Sequence, residues 1–148
     1  MSSTHLSLHF HVVFSTKHRE PYFAPSVRPR LHEYLAGIIQ AEGGYAHAVG
    51  GTGDHVHALM GLEATHSLAQ VMQRLKSVSS RWIHDELRFA GFAWQEGYGG
   101  FTVSATNLRR VCAYVKNQEE HHRTKTFQQE YVQLLKRGMV KYDERYLW

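Results

Sequence analysis

Residues 45–62, YAHAVGGTGDHVHALMGL, constrain the fold more than any other stretch of the chain. YAHAVGGTG and HVHALMGL read as two strands joined through a glycine turn, an antiparallel hairpin. Side chains in a strand alternate faces, so His55 and His57 point one way while Val56 points into the opposite layer. Two neutral imidazoles about 7 Å apart on one face can converge on a single cation or phosphate.

The segments around the hairpin fix the rest of the layout. HLSLHFHVVFST, residues 5–16, alternates and is β-branched enough for a strand, and a basic, proline-bearing connection follows. From Val27 to about Ala41, the residues Leu31, Tyr34, Leu35, Ile38 and Ile39 fall at helical spacing before EGG ends the helix. Ser67 can cap a second helix with an apolar stripe of Leu68, Val71, Met72, Leu75, Val78 and Trp82. FAWQEGYGGFTVS is an aromatic loop running into a short strand. Asn107 to His122 reads as one helix and TKTFQQEYVQLLKRG as another. The order β-α-β-β-α-β-α with a central hairpin predicts an α+β fold, a ferredoxin-like antiparallel sheet with helices packed on it. At 148 residues, with no repeat or linker, residues 1–148 are expected to form a single domain.

Several classes are excluded at this level. Cys112 is the only cysteine, so no disulfide can form within the chain and no cysteine-based zinc site exists. The N-terminus lacks a basic start with a long apolar run, and no stretch approaches the ~20 apolar residues of a membrane span. A cytoplasmic protein with no membrane partner is expected. The run GGTGD lacks the Lys-Ser/Thr ending of a phosphate loop, so no ATP site is read. The net charge of +4 leans towards an anionic partner, and 12 histidines are many for this length.

Two strands carry paired histidines, HFH at 9–11 and HVH at 55–57. Either pair could simply sit on a half-exposed strand. Context favours His55 and His57, because they begin a strand directly after Asp54, a carboxylate able to orient an imidazole. His9 and His11 lie mid-strand without such a neighbour and are expected to matter less. On the helix NLRRVCAYVKNQEEHH, Leu108, Val111, Cys112 and Val115 form the apolar stripe. Tyr114 lies about 120° from its centre and Gln118 about 80° from it. Four residues apart, they share one flank with Arg110 before them and His121 after. A hydroxyl nucleophile, an amide ligand and a cation would suit phosphate chemistry; an amphipathic helix with a flank tyrosine explains the same pattern. Lys17, Arg19, Arg74 and Arg81 could contact DNA phosphates, and Trp94 and Tyr98 could stack on unpaired bases. Equally, the charges could form a solvated face and the rings part of the core.

Taken in order, HVVFSTKHR, GDHVHAL, WQEGYGGFTVS and YVKNQEEHH resemble the small single-tyrosine HUH transposases of bacterial insertion sequences, a superfamily that includes the REP-associated tyrosine transposases. The resemblance covers nearly the whole chain. It implies that Tyr114 is the nucleophile and that His55, His57 and Gln118 hold a divalent metal, Mg²⁺ or Mn²⁺. It further implies cutting and rejoining of single-stranded DNA through a 5′-phosphotyrosine intermediate, without ATP. The family's partners are DNA hairpins near element ends, and its members are similar in acting as homodimers with active sites shared between subunits. Three other readings carry some of these features. A host-adopted relative would act on genomic repeats with the same chemistry, and a non-catalytic ferredoxin-like module would only bind nucleic acid. A double-histidine phosphoesterase needs His-x-Ser/Thr twice, and only HLS at residues 5–7 matches.

Overall fold

The hairpin forms as its glycines require. In a computed structural model, which describes residues 3–148, strand β2 (Tyr45–Gly51) pairs antiparallel with β3 (His55–Gly61) across a turn at residues 52–54. A Cβ on Gly51 would lie 2.1 Å from the His55 carbonyl oxygen, so no larger residue closes this turn without displacing it. Strand β1 (His9–Ser15) pairs antiparallel with the other edge of β3, and β4 (Gly99–Thr102) pairs with β1. The sheet order β2-β3-β1-β4, all antiparallel, is the ferredoxin-like arrangement. The first strand is shorter than its sequence pattern, because residues 3–8 are exposed and lie ahead of the paired segment.

Helices cover both faces of the sheet. Helix α1 (Arg28–Ala41) and helix α2 (Leu68–Glu86) pack on one face, where Leu31, Leu35, Met72, Leu75 and Ile83 close over Val12, Phe14, Val56, Ala58 and Met60. Each fully buried side chain of this size stabilises the fold by about 1.5–3 kcal/mol. Ser67 caps α2 as expected, its side chain accepting from the Gln70 backbone N–H. On the other face, helix α3 (Leu108–Lys116) seats Val115 on Ala48 and Leu59. Residues His55 to Met60 of β3 are therefore buried throughout, histidines included. No helix among the described residues is long and apolar enough to cross a membrane.

The segment 107–122 is not one helix. At Asn117 the backbone turns to φ −105° and ψ 31°, and a short helix, α4 (Gln118–His121), starts afresh. Asparagine tolerates this departure because its helix preference is weak. The break turns Gln118 inward, where it is buried rather than lying on a helix flank. Helix α5 (Phe127–Arg137) follows, started by a capping box between Thr126 and Gln129.

Gly50 sets how closely α3 approaches β2, since a Cβ there would sit 1.9 Å from the Val115 carbonyl oxygen. Gly50→Ala is expected to destabilise the chain by about 1–3 kcal/mol in urea denaturation. Gly37→Ala, in α1 with nothing within 4 Å of its added Cβ, should instead stabilise by about 0.5–1 kcal/mol. A Gly50→Ala protein as stable as the parent would show that α3 is not seated this way.

Candidate active site

The site grows from the histidine-bearing face of β3. Its walls are the break between α3 and α4 and the first turns of α5. Asp54 Oδ1 accepts from His55 Nδ1 at 2.8 Å, which turns Nε2 away from the turn and into the protein. There, His55 Nε2 lies 3.2 Å from Gln118 Oε1 and 3.8 Å from Glu130 Oε1. The Gln118 amide is oriented by its own Nε2, which donates to the Tyr114 carbonyl at 3.3 Å, so Oε1 must face the histidine. Phe127 stacks on the outer face of the His55 ring, with centroids 4.2 Å apart.

His57 is held in the same manner from the other side. Its Nδ1 meets His11 Nε2 at 2.8 Å across the β1–β3 pairing, and its Nε2 meets Glu130 Oε1 at 2.9 Å. Glu130, on α5 and almost fully buried, is the point where the groups converge. His122 Nε2 approaches Oε1 at 3.2 Å, and His121 Nε2 lies 3.2 Å from Oε2. The Tyr114 hydroxyl donates to Oε2. Among the described residues, ligand atoms of His55, His122 and Glu130 all lie within 4.8 Å of one another.

Burial and charge set the protonation of these groups. Burial lowers His57 to about 4 against the opposing pull of Glu130, and burial together with the nearby His57 lowers His11 to about 3. Both rings are therefore neutral at neutral pH. Burial works to raise the Glu130 carboxyl, but hydrogen bonds from His122, His57 and Tyr114 outweigh it and hold the group ionised, well below the usual carboxylate range. Burial raises the Tyr114 phenol far above its ordinary value, and the hydrogen bond to Glu130 adds to that. Tyr114 thus stands as a neutral donor with a fixed hydroxyl.

The donor chemistry fits a divalent cation. With Nδ1 engaged by Asp54, His55 directs its Nε2 at two carbonyl-type oxygens, Gln118 Oε1 and Glu130 Oε1. Lone pairs facing one another at such distances are what a cation bridges. Asp54 and His11 provide the outer partners that metal-bound imidazoles need at their second nitrogen.

A family model of IS200-like transposases matches residues 4–118. The chain belongs to that family. Among solved structures it resembles a candidate transposase from Deinococcus radiodurans R1, with TM-score 0.63, 24% identity and coverage of 80% of this chain and 95% of that one. It also resembles the REP-associated tyrosine transposase bound to a REP hairpin, with TM-score 0.55, 12% identity and coverage of 78% of this chain and 70% of that one. Both are similar in fold. No curated protein matches the sequence. This member of the IS200-like transposases carries His55, His57, Tyr114 and Gln118 inside the matched region, while Glu130 lies beyond it.

The other residues singled out from the sequence scatter. Arg110 bonds the Asn107 side chain at 2.9 Å and borders a shallow depression beside Tyr114 rather than touching the cluster. Arg74, paired with Glu42, and Arg81 project from α2, which covers the opposite face of the sheet. Lys17 is exposed at the end of β1, and the Arg19 guanidinium lies over the Trp148 ring. Tyr98 is partly exposed next to Lys76. Trp94 is not available for stacking on bases: it is buried against Phe14 and Phe92, and its indole N–H donates to Ser79. His9 pairs with His47, away from the cluster, whereas His11 supports His57 directly.

Glu130 is the residue of the cluster that sequence reasoning passes over, and His11 the one it sets aside. A signal for Glu130 exists. It falls three residues after Phe127 and five before Leu135, the other buried positions of α5, and a carboxylate on an apolar helix face needs a buried partner.

Neutral burial of two histidines fixes a pH dependence. The unfolded chain gains these protons near 6.5, the folded chain only near about 4 for His57 and about 3 for His11. The unfolded state thus binds more protons throughout that window, so stability falls as pH drops below 6.5. In chelator, the urea midpoint should decline steadily as pH is lowered from neutral towards about 4, and His11→Gln should flatten that decline. A midpoint independent of pH would show that the rings are not buried in neutral form.

Proposed function

We propose that the chain cuts and rejoins single-stranded DNA by transesterification on Tyr114. The observation that carries this reading is the meeting of the Tyr114 hydroxyl with the HVH histidines and Gln118 around one buried carboxylate. Tyr114 Oη attacks a backbone phosphorus, a new phosphorus–Oη bond forms, and the bond to the 3′ oxygen breaks. The phenol proton is released and the departing oxygen gains one, leaving a 5′-phosphotyrosine and a free 3′-hydroxyl. One phosphodiester replaces another of similar energy, so rejoining by the reverse step requires no ATP.

The chain's own groups prepare that attack. Glu130 fixes Oη by accepting its hydrogen bond, and α3 is anchored to the sheet through Val115. Because the phenol is held neutral in the free protein, DNA entry must loosen its hold on Glu130 before Oη can attack. His55, His57 and Gln118 would hold Mg²⁺ or Mn²⁺, which supplies charge stabilisation for the pentacoordinate phosphorus. The matching tyrosine transposase fold, solved with a REP hairpin, supports hairpin-bearing single strands as the DNA partner. Lys17, exposed at the sheet end, and Arg110, beside Tyr114, are charged side chains that can meet its backbone.

The chain acts as a homodimer in the cytoplasm, by analogy with the family. Its active sites are shared between subunits: exchanged tyrosine helices would rebuild from two chains the set of contacts that one chain makes within itself. Mixing His57→Ala with Tyr114→Phe protein is then expected to restore cleavage, because a heterodimer carries one site free of both substitutions. No recovery in verified heterodimers would show that each site is built within one chain.

The decisive test is the covalent adduct. With a labelled hairpin oligonucleotide and Mn²⁺, the DNA-linked peptide should contain Tyr114, and Tyr114→Phe should lose the adduct while binding DNA nearly as the parent does. Excess chelator should abolish cleavage. An adduct on Tyr98 or Tyr131 would overturn the assignment, and binding without any adduct would favour a non-catalytic nucleic-acid module.

A further inference from the structure

We infer that Glu130 is itself a ligand of the divalent ion, so that helix α5, outside the family match, completes the metal site. The inference rests on the metal-dependent reading above and adds to its donors the one anionic group that, among the described residues, reaches the convergence point.

Three observations carry it. The first is geometric. Donors about 2.1 Å from an octahedral ion lie about 3.0 Å apart when at right angles and about 4.2 Å apart when opposite. Glu130 Oε1 stands 3.2 Å from His122 Nε2 and 3.8 Å from His55 Nε2, inside that span, and 2.9 Å from His57 Nε2, at its lower edge. Gln118 Oε1 stands 3.2 Å from His55 Nε2, so amide and carboxylate oxygens face the same imidazole.

The second is charge. His55, His57 and Gln118 are buried, and as a ligand set they offer a divalent ion only neutral atoms. Withdrawing such an ion from water into a neutral pocket is costly unless an anion comes with it. Asp54 is spent on His55 Nδ1, on the side of the ring away from the centre. Glu130 is the buried carboxylate whose oxygen reaches both Nε2 atoms of the HVH pair.

The third is the division of labour between its two oxygens. Oε1 faces the imidazoles, whereas Oε2 accepts from the Tyr114 hydroxyl. A carboxylate bound to the ion through Oε1 would keep Oε2 on the nucleophile and so tie the position of Tyr114 to the presence of the ion. Proton placement allows the change: His57 can carry its N–H on Nδ1 instead of Nε2 when neutral His11 moves its own from Nε2 to Nδ1 and so accepts.

The test is Mn²⁺ affinity of the full chain without DNA, read from the electron paramagnetic resonance signal of free Mn²⁺. Glu130→Gln should bind Mn²⁺ at least tenfold more weakly than the parent, and Glu130→Asp should recover part of the loss. A purely structural Glu130 would leave the affinity of folded Glu130→Gln unchanged, and that result overturns the inference. Should Glu130→Gln fail to fold, crystals of the unaltered protein soaked in Mn²⁺ decide the matter. Anomalous density within bonding distance of Glu130 Oε1 supports it, and density on the histidines with Glu130 outside the coordination sphere rejects it. If Mn²⁺ binds as described but no Tyr114 adduct ever forms, the proposed reaction fails while the ligand assignment stands. If the parent binds no Mn²⁺, both fall.

Discussion

An ionised carboxylate cannot remain in a protein interior unless donors surround it, and the histidine-bearing side of this molecule is arranged around one such group. Glu130 is buried on α5 beneath the histidine-bearing face of the sheet. Its two oxygens draw together β3 through His57, α3 through Tyr114 and the segment after α4 through His122. Removing a single partner from such a cluster leaves the remaining charge under-compensated, a penalty larger than the net worth of the contact removed. The helices on this face are thus held as much by one polar cluster as by the small apolar contact of Ala48, Leu59 and Val115. The opposite face is organised in the contrary way, with an extensive apolar core under α1 and α2.

That asymmetry explains what could be read from the chain and what could not. The hairpin, the two covering helices and the shared face of His55 and His57 follow from alternation, helical spacing and glycine placement, which are local properties. Tyr114 and Gln118 were legible as neighbours four residues apart. Their arrangement was not, because it depends on the backbone break at Asn117, which is decided by what Gln118 meets when it turns inward. His11 looked unremarkable in its own strand because its partner, His57, is 46 residues away across a strand register that alternation alone does not specify. Trp94 sits in a loop, where no periodicity distinguishes a ring packed on Phe14 from one facing solvent.

The family match and the site geometry meet at Gln118, where the matched region ends. Residues up to that point supply the strand histidines, the tyrosine and the amide. Everything that seals the site from below, including Phe127 on the His55 ring and the Glu130 carboxylate, comes from the helix that follows. The family core thus carries the tyrosine and the histidine pair, and a separate helix closes the cluster.

The tryptophans give this division an optical readout. The chain has three, and each occupies a different part of the fold. Trp94 lies in the core under α2, Trp82 stacks on Tyr34 at the α1–α2 surface, and Trp148 rests against Phe127 and Tyr131 of α5. Indole emission follows the polarity around the ring, so each ring, kept as the sole tryptophan, reports its own part of the fold. Trp148 is half-exposed already and bears on the helix that carries Glu130. Its fluorescence is a built-in gauge of whether the closing helix is docked, readable while the rest of the protein stays folded.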